Sequence, residues 1–331
     1  MLFWTQGSIT IKETTMRASG NTEEQGTIDW LDSTKHRSEG LVADVWRRFR
    51  RHPGAMAGLF VLSLVILAII FAGFSPYDPE KSEILNRLQS PSWKHPMGTD
   101  PLGRDMLTRV LYGGRVSMLV GVTVVAISLS IGIPIGAVAG YFGGWVDNLL
   151  MRITDVALTL PSLLVLILLS VILHEVEIPL LKRSSPVTIA LVIGLLSWMT
   201  VARLVRASFL TIREMDFITA ARSVGAGNFR IMTRHILPNA VGPVIVESTL
   251  EIGYAIMQES GLSFLGFGIQ PPTPSWGNLL SNAQEHLAKH PWLAIFPGLM
   301  IFLVIISVNY IGDGMRDALD PFKVLTEAGE V

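Results

Sequence analysis

Thr219–Ala240 reads TAARSVGAGNFRIMTRHILPNA. It opens with small residues, turns at Gly225-Ala226-Gly227 and ends at Leu237-Pro238, where an apolar run begins. It carries Arg222, Arg230, Arg234 and, when protonated, His235, and hydrophobic runs flank it on both sides. A basic helix–turn–helix between two membrane spans is out of place unless something outside the membrane docks on it. We read it as that docking surface, and the rest of the chain as the part that carries force from it to a pore.

The chain around it is 50% hydrophobic and only 16% charged over 331 residues, with mean hydropathy +0.47. A soluble domain is about a quarter charged and has no long apolar runs. Such runs recur here, which makes this an all-α polytopic membrane protein. Net charge −1 gives no nucleic-acid signal. The absence of cysteine removes disulfides, Cys-zinc sites and thiol catalysis. Met1–Gly40 lacks the apolar core of a signal peptide, and residues 1–44 read as a polar, disordered cytoplasmic tail.

About six spans are expected. VWRRFRRH (Val45–His52) precedes an uncharged run, Gly54–Phe74, long enough for a bilayer core of about 30 Å. Residues 45–75 are therefore a basic anchor and first span, with the amino terminus in the cytoplasm. Residues 76–115 form an extracytoplasmic loop with five prolines, and residues 116–311 the core. Within the core we place spans at Val116–Gly140, kinked by Pro134, then Ala157–Leu173, Val187–Thr200, Val241–Gln258 and Trp292–Ile311. Gly261–Ile269 is too short to cross and folds back. The loop 203–238 and the tail 312–331 fall in the cytoplasm. Arg203, Arg206, Arg213, Arg222, Arg230 and Arg234 against Glu214 and Asp216 agree with that side. Lys81, Arg87, Lys94, Arg104, Arg109 and Arg115 in the outer loop are an exception to the positive-inside rule.

Thr219–Pro238 resembles the cytoplasmic signature of ABC importer membrane subunits: Glu-Ala-Ala, three residues, Gly, nine residues, Ile, one residue, Leu-Pro. Ala220, Ala221, Gly225, Leu237 and Pro238 match; Thr219 replaces the Glu and His235 the Ile. HPMGTDPLGRD (His95–Asp105), GLSFLGFGIQPPTPSWGNL (Gly261–Leu279) and DALDP (Asp317–Pro321) are similar to C-type permeases of dipeptide, oligopeptide and nickel importers. The resemblance implies a type I ABC importer permease fold in the cytoplasmic membrane with both termini inside. It also implies a second, distinct permease subunit, two cytoplasmic subunits that bind ATP and Mg, and an extracytoplasmic solute-binding protein. No cofactor is expected on this chain. Peptides are the expected cargo, with nickel or another small solute as alternatives.

On this reading Asp216, Thr219, Ala220, Ala221, Arg222, Gly225, Gly227, Leu237 and Pro238 form the ATPase-coupling site. The alanines permit close backbone approach, the glycines the turn, and Pro238 a helix start. Thr219 cannot pair with an arginine as the Glu would, and Asp216, on nearly the same helical face, is the substitute. Glu247 and Glu251 lie about 13 and 20 Å along a helix counted from Pro238. Carboxylates at that depth face a cavity or a partner, so they line a translocation pathway or pair with the second permease. Gly98, Thr99, Asp100, Gly103, Arg104 and Asp105 form pinned turns, with an Asp100–Arg104 pair; they scaffold the second span or make an outer plug or docking contact. His286 and His290 share a face if residues 278–289 are helical, but no HExxH motif or third ligand supports a metal site. No P-loop and no nucleophile elbow is present, so no catalysis is expected. An ion-coupled secondary transporter using Glu247 and Glu251 is the competing class.

Overall fold

The computed structural model describes residues 41–175 and 185–319. The tail expected to be disordered lies outside the described residues up to residue 40, as does the end of the chain from residue 320. Among the described residues, those up to Arg48 and those from Phe49 onward form two compact units. In the first, Arg47 and Asp44 pair at 3.6 Å on α1 (Leu41–Arg51). The second carries the remaining helices.

Among the described residues every regular element is helical. Helix α2 (Pro53–Ile70) continues as a 3-10 turn to Phe74. After a long loop come α3 (Met106–Phe142), α4 (Gly144–Thr159), α5 (Ser162–Glu175) and α6 (Pro186–Arg213). Helix α7 is Asp216–Ser223 and α8 runs through Asn228–Phe264. Helices α9 (Trp276–Ala283) and α10 (Trp292–Leu319) complete the described chain. Local chemistry sets the starts. The His52 ring accepts the Ala55 N–H at 3.0 Å ahead of Pro53, and Asp105 accepts the Thr108 N–H at 2.8 Å.

Helices α2, α3, α6, α8 and α10 are each long and apolar enough to cross a membrane. The expected span Ala157–Leu173 is not one helix. The chain breaks at Leu160-Pro161, and α4 and α5 meet at 90°. Pro161 offers no N–H and pushes Leu160 into an extended conformation, with ψ 138°. Helix α5 alone is about 21 Å long, short of a bilayer core.

The packing shows what the bent pair must do. Gly132 of α3 abuts Val201 of α6, Gly136 abuts Ala202 and Val205, and Gly140 abuts Arg206 and Phe209. Both numbers rise together, so α3 and α6 run parallel. The chain must therefore return from one end to the other between Phe142 and Pro186. A Cβ on Gly140 would stand 2.6 Å from that of Phe209, so glycine is what lets the backbones touch. Helix α8 runs antiparallel to α3, with Gly121 against Ile252 and Ile256. Helix α10 is antiparallel to α8 (Gly253 on Ile305, Gly312 on Leu250), and α2 to α10 (Gly58 on Ser307 and Tyr310, Gly314 on Ala55). One end thus collects the starts of α2 and α8 and the ends of α3, α6 and α10. The other holds the long loop before α3 and the segment between α8 and α10.

Several helices outrun their apolar cores. Helix α3 begins at Met106, inside the expected loop, because Asp105 caps it there; Pro134 lies within it without ending it. Helix α10 continues past Gly312 to Leu319. Helix α8 begins at Asn228; its regular α-helical part starts at Leu237 and carries Pro238 in its first turn, the helix start expected there. A π-helical turn at Ile231–Ile236 precedes it. That wider turn accommodates a ring that would otherwise strike the carbonyl four residues back.

Candidate functional site

Helix α7 and the turn into α8 occupy the end where α3 and α6 terminate. Ile218, Ile231 and Ile236 are fully buried there against Tyr141 of α3 and Val205, Phe209 and Ile212 of α6. Each such side chain contributes about 1.5–3 kcal/mol through burial. Polar contacts add to the seat. Arg213 Nη1 donates to the Gly140 and Tyr141 carbonyls at 3.1 and 3.0 Å, capping α3. The Tyr141 hydroxyl donates to Asn228 Oδ1 at 2.8 Å, and the Arg222 guanidinium lies 5.8 Å from the Tyr141 ring centre.

The turn after α7 is a Schellman motif. The Gly225 N–H bonds the Arg222 carbonyl at 2.9 Å, and the Ala226 N–H the Ala221 carbonyl at 3.1 Å. Gly225 has φ +85°, the left-handed conformation glycine adopts without penalty. Gly227 does not share that role: its φ is −71°, and it precedes α8 as an ordinary extended residue. Asp216, Thr219, Ala220 and Arg222 are exposed or partly so, Ala221 and Leu237 are in contact with both hairpin and solvent, and Pro238 is exposed. Asp216 sits in the first turn of α7, where a carboxylate suits the helix dipole.

A surface groove joins Ala220, Ala221 and Gly225 to Phe217, Val224, Arg230 and His235. Apolar side chains stand out of this end, among them Phe217 at 42% exposed, Val224 at 86% and Phe229 at 79%. The basic residues are what the sequence pattern singles out in this stretch; the apolar ones it passes over. Their signal is present in the chain, since Phe and Val in an otherwise polar hairpin have no core to enter. The structure therefore sets a rigid, apolar-tipped hairpin on the ends of two parallel helices.

At the opposite end the outer motif residues Gly98, Thr99, Asp100, Gly103, Arg104 and Asp105 are buried. Asp100 Oδ1 accepts the N–H groups of Leu102 and Arg104 at 2.8 and 2.9 Å, and Oδ2 the Arg104 Nε at 2.7 Å. Arg109 Nε lies 3.5 Å from the same oxygen, and its Nη1 donates to the Pro79 carbonyl at 2.9 Å. Gly98 and Gly103 both have φ +75°. Thr99 ties the loop to Gln89 and Asn86. His95, which the turn pattern does not single out, pairs with Asp105 at 2.9 Å. This arrangement scaffolds the start of α3. It also gives the bases on this side partners: Arg104 and Arg109 both face Asp100, and Arg115 donates to the Ile69 and Ile70 carbonyls at 2.9 and 2.8 Å.

Within α8, Glu251 is 6% exposed and neither carboxylate oxygen has a hydrogen-bond partner among the described residues. The Ser128 hydroxyl of α3 and Glu247, one turn away, are turned toward it. Glu247 is half-buried. His286 and His290 do not share one helix, because α9 ends at Ala283 and a 3-10 turn carries His286. No group of three or more metal-ligating side chains occurs among the described residues.

Comparison with known proteins places these features in context. The model for the binding-protein-dependent transport system inner membrane component matches residues 132–324. The model for the N-terminal transmembrane domain of oligopeptide transport permease C matches residues 40–91. The dipeptide transport system permease of Alkalihalophilus pseudofirmus is 40% identical over 84% of this chain and 89% of its own. The glutathione transport system permease of Escherichia coli is 42% identical over 84% and 89%. That of Pectobacterium atrosepticum is 40% identical over 84% and 90%.

Proposed function

This chain belongs to the family of binding-protein-dependent transport system inner membrane components and is an ABC importer permease, and from that premise we propose how it works. It forms half of a translocation pathway for short peptides with a second, distinct permease. Two cytoplasmic subunits bind ATP and Mg and hydrolyse the nucleotide, and an extracytoplasmic protein delivers the solute. Both termini and α7 face the cytoplasm.

The observation that carries this reading is the hairpin at Asp216–Ile236. It is held by buried isoleucines and by the Tyr141–Asn228 hydrogen bond, and it offers exposed Phe217, Val224 and Phe229 at the end where α2 begins. A hinge there would absorb a partner's motion; a seated hairpin transmits it to α3 and α6. Peptide cargo is favoured because dipeptides and glutathione, the solutes in the relatives' names, share a free α-ammonium and a terminal carboxylate. We also place Glu247 and Glu251 on the pathway. Glu251 is buried with no hydrogen-bond partner among the described residues, and a carboxylate so placed calls for a cationic group from outside.

The test is uptake of a labelled dipeptide by vesicles containing the assembled importer, with nickel as a competitor. Uptake that requires ATP and survives a protonophore supports the reading. Uptake that persists without ATP and collapses with the protonophore would replace it with an ion-coupled transporter using Glu247 and Glu251.

A further inference from the structure

Glu259 belongs to no part of the coupling site or the outer knot. It lies in the last turns of α8, 0% exposed. The groups turned to its carboxylate are the hydroxyls of Ser117, Ser260, Ser263 and Ser275. Ser263 donates to Oε1 at 2.8 Å and Ser117 to Oε2 at 3.0 Å.

Those hydroxyls do a second thing. Ser263 Oγ accepts the Ile269 N–H at 2.9 Å, Ser117 Oγ the Trp276 N–H at 3.3 Å, and Ser275 Oγ the Asn278 N–H at 3.3 Å. A hydroxyl has one proton to give and lone pairs to receive. With the proton committed to Glu259, the lone pairs are free for backbone N–H groups. The carboxylate thus fixes the direction of hydroxyls that hold both ends of Ile269–Trp276. Asn278 Nδ2 binds the same stretch from within, donating to the Ile269 and Thr273 carbonyls at 3.2 and 2.8 Å. The fit is close: a Cβ on Gly277 would stand 2.6 Å from Ser260 Cα. Pro271 and Pro272, at the tip, are exposed.

We propose that Glu259 is a positioning residue that orients Ser117 and Ser263 so that Ile269–Trp276 stands as a preformed shelf, on which the extracytoplasmic solute-binding protein docks. This rests on the importer reading above. The shelf lies at the end opposite α7, and the family is described as dependent on a binding protein. A segment already held in one conformation loses less entropy on docking.

A carboxamide separates this role from simple filling of space. Glu259→Gln keeps the volume but offers one acceptor and one donor. The serine facing the amide NH2 must then turn its proton away, which swings its lone pairs from the direction that holds the backbone N–H. The experiment uses the assembled importer in lipid nanodiscs. It combines hydrogen exchange over residues 265–280 with ATPase activity titrated with the importer's own purified solute-binding protein. Loss of one such hydrogen bond predicts about tenfold faster exchange at the Ile269 or Trp276 amide in Glu259→Gln. The binding-protein concentration for half-maximal stimulation should rise with basal ATPase unchanged. Ser263→Ala should free Ile269 alone and Ser117→Ala Trp276 alone, which keeps the test open if Glu259→Gln fails to assemble. Wild-type exchange in all three variants overturns the orienting role. Freed amides with unchanged half-maximal stimulation overturn the docking role. If wild-type ATPase ignores the binding protein, the importer reading fails, and the amides still report on Glu259.

Discussion

Arg206 grips Asp147 through two parallel hydrogen bonds, Nε to Oδ1 and Nη2 to Oδ2, the latter at 2.7 Å. Nearby, Arg203 Nη2 donates to Asp155 Oδ1. These pairs clip the bent span, α4, to α6, which itself packs in parallel on α3. The coupling hairpin is seated where α3 and α6 end. Motion at the hairpin therefore reaches α3 and α6 through packing, and α4 through ion pairs.

Asp147→Ala should leave a partly buried guanidinium without its fork partner. The side chains are 34% and 13% exposed, so solvent screening limits the loss to about 1–2 kcal/mol. Thermal unfolding of the purified importer should drop by a few degrees. Exchanging the two residues should recover part of it. An unchanged midpoint in Asp147→Ala would show that the clip does not brace the span.

Much of the fold is legible in the sequence, for identifiable reasons. Long apolar runs mark spans because a bilayer demands them, and the spacing from Ala220 to Pro238 marks the hairpin. The break at Pro161 is the harder feature. Proline there reads as the edge of a span, since nothing in the apolar pattern distinguishes a helix start from a right-angle bend. Helix ends escape the pattern where capping rather than hydropathy decides, as at Asp105. Glu259 escapes it because it lies in the gap between two apolar runs, Val241–Gln258 and Gly261–Ile269. Its serine partners Ser117 and Ser275 become neighbours only when α3, α8 and α9 pack.

The hairpin's anchor and its surface should separate by mutation. Ile218 is fully buried, so Ile218→Ala should cost about 2–4 kcal/mol and lower the unfolding midpoint. Phe229 is 79% exposed, so Phe229→Ala should leave stability within about 0.5 kcal/mol. It should nonetheless weaken co-purification of the ATPase subunits. Full retention of those subunits by Phe229→Ala together with Val224→Asp would remove the apolar tip from the docking surface.

Gly225 combines a left-handed backbone with open space, as no atom lies within 4 Å of the position a Cβ would take. Its constraint is conformational within this chain and steric only toward a partner. Gly225→Asn, which tolerates positive φ, should preserve more uptake than Gly225→Ala, which carries about 1 kcal/mol of strain. Gly225→Glu should spare assembly of the two permeases and uncouple ATP hydrolysis from uptake. Normal transport by Gly225→Glu, measured in vesicles, would sink the coupling assignment.

Glu251 has no hydrogen-bonding partner for either oxygen among the described residues. Glu251→Gln keeps the shape and removes the charge. If a cationic group of the solute is stabilised there, uptake of a dipeptide should fall several-fold, and N-acetylation of the peptide should cancel the difference between the two proteins. If the carboxylate instead pairs with the second permease, Glu251→Gln should lower the yield of the heterodimer. Unchanged uptake removes the pathway role.

The outer knot predicts a ranking rather than a single loss. Asp100 compensates two arginines that are 6% and 0% exposed, Arg104 and Arg109. Asp100→Ala strands both charges and should cost about 3–5 kcal/mol. Asp105 caps α3 and holds His95, a cap worth about 1 kcal/mol and one buried hydrogen bond of similar size. Asp105→Ala should therefore cost about half as much. Because neither carboxylate reaches the surface, both variants should lose yield and unfolding temperature together, while uptake per folded importer stays near wild type. Loss of uptake in a fully stable Asp105→Ala importer would show that the motif docks a partner rather than scaffolding α3.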